Sequence, residues 1–165
     1  MIDLQKAKLV LFDFDDTLCI HKAHGSDYEE AYMLAMLRGE DYWSKLGSVP
    51  NNSMIDFLHL CRNKGKVIGL VSWTHCYKDM QMKEQWVKKM YGISSIENYC
   101  VGSREGKLKL MQYICKAFDY KPDQLLIVDD FYKTINEAGD LGFQSCTPME
   151  VVVYMEDVRR EEKLR

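Results

Sequence analysis

Nowhere in this sequence are two cysteines spaced C-x-x-C; the six present (Cys19, Cys61, Cys76, Cys100, Cys115, Cys146) stand singly. That excludes the paired-thiol frameworks of many zinc sites and of thioredoxin-like redox centres. Mixed neighbours such as Cys19 with His21, His59 with Cys61 and His75 with Cys76 also lack an established zinc-ligand spacing, so reduced core cysteines are the expectation. No apolar run approaches the ~20 residues that span a bilayer, and no N-terminal stretch has signal-peptide layout. The expectation is a soluble, intracellular, cytoplasmic protein with no membrane partner. Positive charge is not in excess: the formal net charge is -3, which supplies no global basic field for nucleic acid. Nucleic acid therefore enters only as a possible substrate. Internal repeats, low-complexity tracts and linkers are lacking too, and 47% hydrophobic content over 165 residues suits one domain over 1–165 with a full core.

What is present alternates between short apolar runs and amphipathic stretches. Residues 8–14 are β-branched and aromatic and too few for a helix, which predicts a first strand. Residues 53–63 carry Met54, Ile55, Phe57, Leu58 and Cys61 at helical spacing, and Gly65 stops that helix. Further strands are predicted at 67–72, 99–101, 125–130 and 143–147. Helices are predicted at 78–91 with Gly92 as its stop, at 107–118, at 133–141, and from Pro148, which suits a first helical turn. Continuous apolar strands separated by helices imply an α/β fold, a doubly wound parallel sheet with helices on both faces.

In such sheets ligands bind beyond the carboxyl ends of the strands. Asp13 and Asp15 end the first predicted strand, Ser72 the second, and Asp129 with Asp130 the fourth, so distant residues converge on one edge. Carboxylates crowded there repel one another unless a cation sits among them. Mg2+, a hard cation with oxygen ligands, fits that need. The simpler alternative, that Asp13 and Asp15 cap a helix, requires one carboxylate, whereas "DFDD" supplies three.

These residues resemble the signatures of the haloacid dehalogenase superfamily. "DFDDT" is similar to the D-x-D-x-T pattern through Asp13, Asp15 and Thr17. The strand ending in Ser72, a lysine at a helix start (Lys107, with Lys109 as rival), and "LLIVDDFYKTINEA" with Asp129 and Asp130 resemble the other three, in order, across 8–146. The resemblance implies a Mg2+-dependent phosphatase. Asp13 would be the nucleophile that carries an aspartyl-phosphate, and Asp15 the acid and then the base. Mg2+ would take Asp13, the backbone carbonyl of Asp15, Asp129, and Asp130 directly or through water. Ser72, Trp73 and Lys107 would contact the phosphoryl group or substrate, and Thr17 would orient the loop. Asp130 has a second reading as a helix cap, and Asn136 reads as a polar residue on a helix flank. An aspartate two residues after the nucleophile is the phosphatase choice in that family, so dehalogenation is not expected. The alternative class is a non-catalytic binding module that retains the fold.

The interval 19–50 is too short for the family's large cap and is read as a flap plus a small helical lid. Within it, Tyr28, Ala31, Tyr32, Leu34, Ala35 and Leu37 mark an amphipathic helix, either packed beside the sheet or lying over the site. Tyr42, Trp43 and Trp73 are candidates for stacking on an aromatic ring, with a core role as the simpler account. His21, Lys22 and His24 of "HKAHG" lie close to the carboxylates, as contacts for a phosphate or leaving group or, more simply, as a polar surface loop. An uncapped site implies a bulky phosphorylated partner, such as a protein or nucleic-acid end. The sequence leaves substrate identity and oligomeric state open.

Overall fold

The computed structural model describes residues 2–21, 26–40, 42–45, 48–74 and 76–164, without the side chains of 26–29, 44 and 45. Its elements are β1 (Leu9–Phe12), β2 (Cys19–Ile20), α1 (Ser26–Arg38), α2 (Tyr42–Lys45), β3 (Val49–Pro50), α3 (Asn52–Asn63) and β4 (Val67–Trp73). There follow α4 (Tyr77–Tyr91), β5 (Glu97–Val101), α5 (Arg104–Phe118), a 3-10 turn (Pro122–Gln124), β6 (Leu125–Val128), α6 (Tyr132–Asp140), β7 (Gln144–Cys146) and α7 (Pro148–Lys163).

Five strands form one parallel sheet in the order β5-β4-β1-β6-β7. The chain builds outward from β1 to β4 and β5, then returns to the other side of β1 for β6 and β7. The order reverses between β1 and β6, and that is where such a sheet opens a crevice at its carboxyl edge. Alternate side chains of β1 serve opposite faces. Val10 and Phe12 join Ile68, Leu70, Leu126 and Val128 beneath residues of α3, α4 and α7, including Phe57, Met80, Val87 and Val151. Leu9 and Leu11 join Val71, Leu125 and Ile127 beneath Met111 and Ile114 of α5 and Ala138 of α6. Apolar strands therefore follow from burial on both faces.

Local chemistry sets the helix ends. Ser103 accepts from Gly106 N at 3.2 Å to start α5 three residues earlier than the periodicity predicts. Thr147 and Glu150 form a reciprocal capping box around Pro148 at α7. Gly92, left-handed at φ 63°, stops α4. Gly69 in β4 is required for space: a Cβ there would lie 2.7 Å from Leu11 Cδ2 and 2.9 Å from Tyr99 Cε2. Gly69→Ala is expected to cost about 1–3 kcal/mol through overpacking, read as a lower urea midpoint with unchanged slope.

The segment between β1 and α3 comprises the β2–β3 antiparallel pair with α1 and α2. Its inward anchors are Tyr32, Ala35, Tyr42 and Trp43, all buried. Leu34 and Leu37, predicted as core-facing, are exposed, because the helix turns its Tyr32 and Ala35 edge inward. Tyr42 and Trp43 pack edge-on to each other at 4.9 Å and are 1% exposed, so neither can stack on a substrate ring. Among the described residues no helix is long and apolar enough to cross a membrane.

Candidate active site

β1 delivers Asp13 at the crevice, and the turn that follows places the remaining groups. Asp13 N–H donates to Val128 O at 2.9 Å, extending the β1–β6 ladder by one residue. Asp16 then adopts φ 54°, a left-handed conformation that aspartate tolerates better than most residues. The chain folds back so that Asp16 N–H donates to Cys19 O at 2.9 Å. Thr17, fully buried, accepts from Asp130 N–H at 3.1 Å. Its hydroxyl thus ties the β1 loop to the β6 loop.

Asp129, also fully buried, takes Phe131 N–H on Oδ1 at 2.9 Å and Lys107 Nζ on Oδ2 at 2.7 Å. Lys107 lies in the first turn of α5, with its ammonium 2.8 Å from Asp13 Oδ1 as well. That second contact is an ion-pair distance without hydrogen-bond alignment, and among the described residues Asp13 Oδ1 has no hydrogen-bond partner although it is buried. Lys109, the rival lysine, belongs to the same helix but forms neither contact. Asp130 is exposed, beside its buried neighbour. The helix cap position of α6 is Phe131, so the capping reading of Asp130 does not hold.

Electrostatics reflect this crowding. Burial, with the charges of Asp129 and Asp15, outweighs the pull of Lys107 and pushes Asp13 up to about 7. Burial and then Asp129 raise Asp130. Burial would lower Lys107, but the facing charges of Asp13 and Asp129 more than offset it and raise it. Asp13, Asp129 and Asp130 each offer a carboxylate oxygen, all within 4.8 Å of one another. Three converging carboxylate oxygens fit a hard divalent cation such as Mg2+. No other described group of His, Cys, Asp and Glu gathers in this way.

Asp15 stands at the other wall. Lys83 Nζ donates to its Oδ2 at 2.9 Å, and His21 Nε2 lies 3.0 Å from its Oδ1. Burial raises its pKa, yet Lys83 and His21 together overcome that and hold the carboxyl well below the usual range. Its side chain remains 38% exposed, so it faces the crevice while anchored at both oxygens. Lys83 also donates to Ser72 Oγ at 2.9 Å, and Ser72 is fully buried.

Two of these groups depart from the sequence reading. His21, expected in a surface loop, is 7% exposed and packs against Trp43 at 5.3 Å. Lys22, His24 and His75 lie outside the described residues. Lys83 is one of several lysines in α4, and its sequence signal is its phase: Met80, Lys83 and Val87 fall on one buried stripe at helical spacing. Trp73 is also placed differently from a phosphate donor. Its indole N–H donates to Gly102 O at 3.1 Å, and the residue is exposed at the carboxyl end of β4.

No family profile and no curated protein matches the chain. Solved structures do. A dehalogenase solved with an intermediate complex superposes with a TM-score of 0.54 at 12% identity, over 88% of this chain and 85% of that one. A HAD family enzyme from Bacteroides thetaiotaomicron, solved with magnesium and inorganic phosphate, gives 0.54 at 14% identity, over 86% and 93%. A predicted phosphoglycolate phosphatase from Haemophilus somnus gives 0.53 at 15% identity, over 86% and 84%.

Proposed function

We propose that this chain, which has the fold of the haloacid dehalogenase superfamily, is a Mg2+-dependent phosphatase that hydrolyses a phosphate monoester through an aspartyl-phosphate on Asp13. The observation that carries the reading is Asp15, a partly exposed carboxylate two residues from the nucleophile, held at both oxygens. A halide leaves carbon without a proton. An alkoxide leaving phosphorus needs one, and Asp15 is the group in position to give it.

In the first half-reaction an Asp13 oxygen forms a bond to phosphorus as the ester P–O bond breaks, and Asp15 protonates the departing oxygen. Asp15 rests as a carboxylate, so the proton it delivers comes with the substrate, which binds as the phosphate ester monoanion and passes its proton to Asp15 as the like charge raises the carboxylate's proton affinity. In the second half, Asp15 takes a proton from the water that attacks phosphorus, releasing inorganic phosphate and restoring Asp13. Lys107 and the Ser72 hydroxyl are the donors available to the phosphoryl oxygens. Asp13, Asp129, Asp130 and the Asp15 carbonyl would hold Mg2+, which supplies positive charge against the phosphoryl oxygens.

Access supports a reading of the substrate class. The described insert is β2, α1, α2 and β3, and Tyr32 and Trp43 fasten it to α4 by donating to Asp79 at 2.6 and 3.3 Å. Trp73 at the carboxyl end of β4, Phe131 after β6, and Tyr77 and Tyr132 at the starts of α4 and α6 are exposed. These features support a bulky phosphorylated substrate, a protein or a nucleic-acid end.

Hydrolysis of an aryl phosphate, followed with excess Mg2+ and after chelation with EDTA, tests the reaction. Turnover is expected to fall by at least ~100-fold on chelation and to return with Mg2+. Turnover indifferent to chelation overturns the metal-dependent reading.

A further inference from the structure

Lys83 is a buried lysine, 2% exposed, that no step of the proposed reaction uses. Its surroundings are specific. The ammonium donates to Asp15 Oδ2 at 2.9 Å, to Ser72 Oγ at 2.9 Å and to Trp73 O at 3.3 Å, which engages all three of its protons. It lies over the rings of Phe14 and Trp43, 4.9 and 5.0 Å from their centroids, where ring quadrupoles attract a cation. One turn earlier on α4, Asp79 holds Tyr32 and Trp43 of the insert. The helix therefore locks the insert with one residue and the acid–base carboxylate with another.

Two consequences follow from these contacts. First, Lys83 and His21 occupy different oxygens of Asp15, which removes the rotation a partly exposed carboxylate otherwise has. Second, an ammonium is a donor only, so it occupies a lone pair of Ser72 Oγ. The Ser72 proton must then point elsewhere, to Trp73 O at 3.3 Å or to an arriving phosphoryl oxygen.

We propose that Lys83 is a positioning residue: it fixes the Asp15 carboxylate for proton transfer and sets the Ser72 hydroxyl as a donor. The role rests on the phosphatase reading, and it acts through Asp15 rather than on the substrate. A carboxylate displaced by about an ångström loses on the order of 100-fold in rate.

The test is a double-mutant cycle on aryl phosphate turnover with saturating Mg2+. Lys83→Met keeps the volume and the apolar contact with Phe14 and Trp43 while removing the charge. Lys83→Met is expected to lower kcat by about 100-fold in the wild-type background, with KM changed by less than about threefold. In an Asp15→Asn background the same change is expected to cost less than about threefold, because the group it positions is already lost. An equal loss in both backgrounds assigns Lys83 a merely structural role and overturns the proposal. If Lys83→Met does not fold, Lys83→Gln is read by the same cycle. If the wild type turns over no phosphate ester, the phosphatase reading fails on its own. The crystal structure of the Lys83 variant then decides: a displaced Asp15 carboxylate supports positioning, and an unmoved one refutes it.

Discussion

Asp13→Asn is expected to reduce turnover on the order of a thousandfold or more and yet to stabilise the protein in the absence of divalent cation. The loss follows because a carboxamide forms no acyl phosphate. The gain follows from the cost of keeping Asp13 ionised in a buried site facing Asp129 and Asp15. Its folded pKa, about 7, lies above the ordinary 3.8. Between these values the folded state binds more protons at this group than the unfolded chain does. The contribution of Asp13 to stability therefore falls as pH rises from about 4 to 7 and stays low above that. Asparagine removes the penalty, so above pH 7 the variant is expected to gain roughly 1–3 kcal/mol, given about 1.4 kcal/mol per pKa unit and the partial loss of pairing with Lys107. Below pH 4 the two proteins should converge. Thermal melts in EDTA across that range check the sign. A wild type more stable than the variant at pH 8 without metal contradicts the account.

Lys107→Met should have the opposite effect on stability and a comparable one on activity. Its ammonium faces both Asp13 and Asp129 with almost no solvent. Removing one partner from a buried ionic cluster typically costs about 3–5 kcal/mol, because the remaining charges are left unopposed. For a chain of this size that corresponds to a melting point lower by roughly ten degrees. Turnover is expected to fall by at least ~100-fold as a cation is withdrawn from the phosphoryl oxygens. Added Mg2+ should recover part of the stability, since it binds the folded state alone, without recovering turnover. Differential scanning calorimetry with and without Mg2+ separates the two effects. A variant as stable as wild type in EDTA shows that Lys107 does not neutralise the cluster.

The parallel α/β architecture was legible because burial on both faces leaves continuous apolar strands such as 9–12 and 125–128, a pattern that needs no partner strand to recognise. The carboxylates were legible for a related reason: a charge at the end of such a strand has no packing explanation. Lys107 could be chosen over Lys109 from its place beside Gly106 at a helix mouth. Lys83 is not legible without its helical phase, and His21, expected near the carboxylates, reads as a surface loop because only the fold-back at Asp16 brings it to Asp15. In α4 six buried positions include Asp79 and Lys83, and a buried charge looks like any surface charge until the stripe is traced. The face presented by α1 was misassigned similarly, since Leu34 and Leu37 are more apolar than the residues that do pack inward.

β1 sits at the middle of the sheet, with neighbours on both edges drawn from much later in the chain. The hydrogen bond that joins its loop to the β6 loop spans 113 positions. At a synthesis rate of about 5–20 residues per second, the first strand waits roughly 6–23 s for that partner. Until β4 emerges the chain carries an apolar strand with two open edges, and until β6 emerges one edge stays open, a feature that invites wrong pairing and chaperone capture. Lys107 and Asp129 arrive late as well, so a ribosome-bound fragment holds Asp13 without its counter-charge. The complete carboxylate cluster belongs only to the finished sheet.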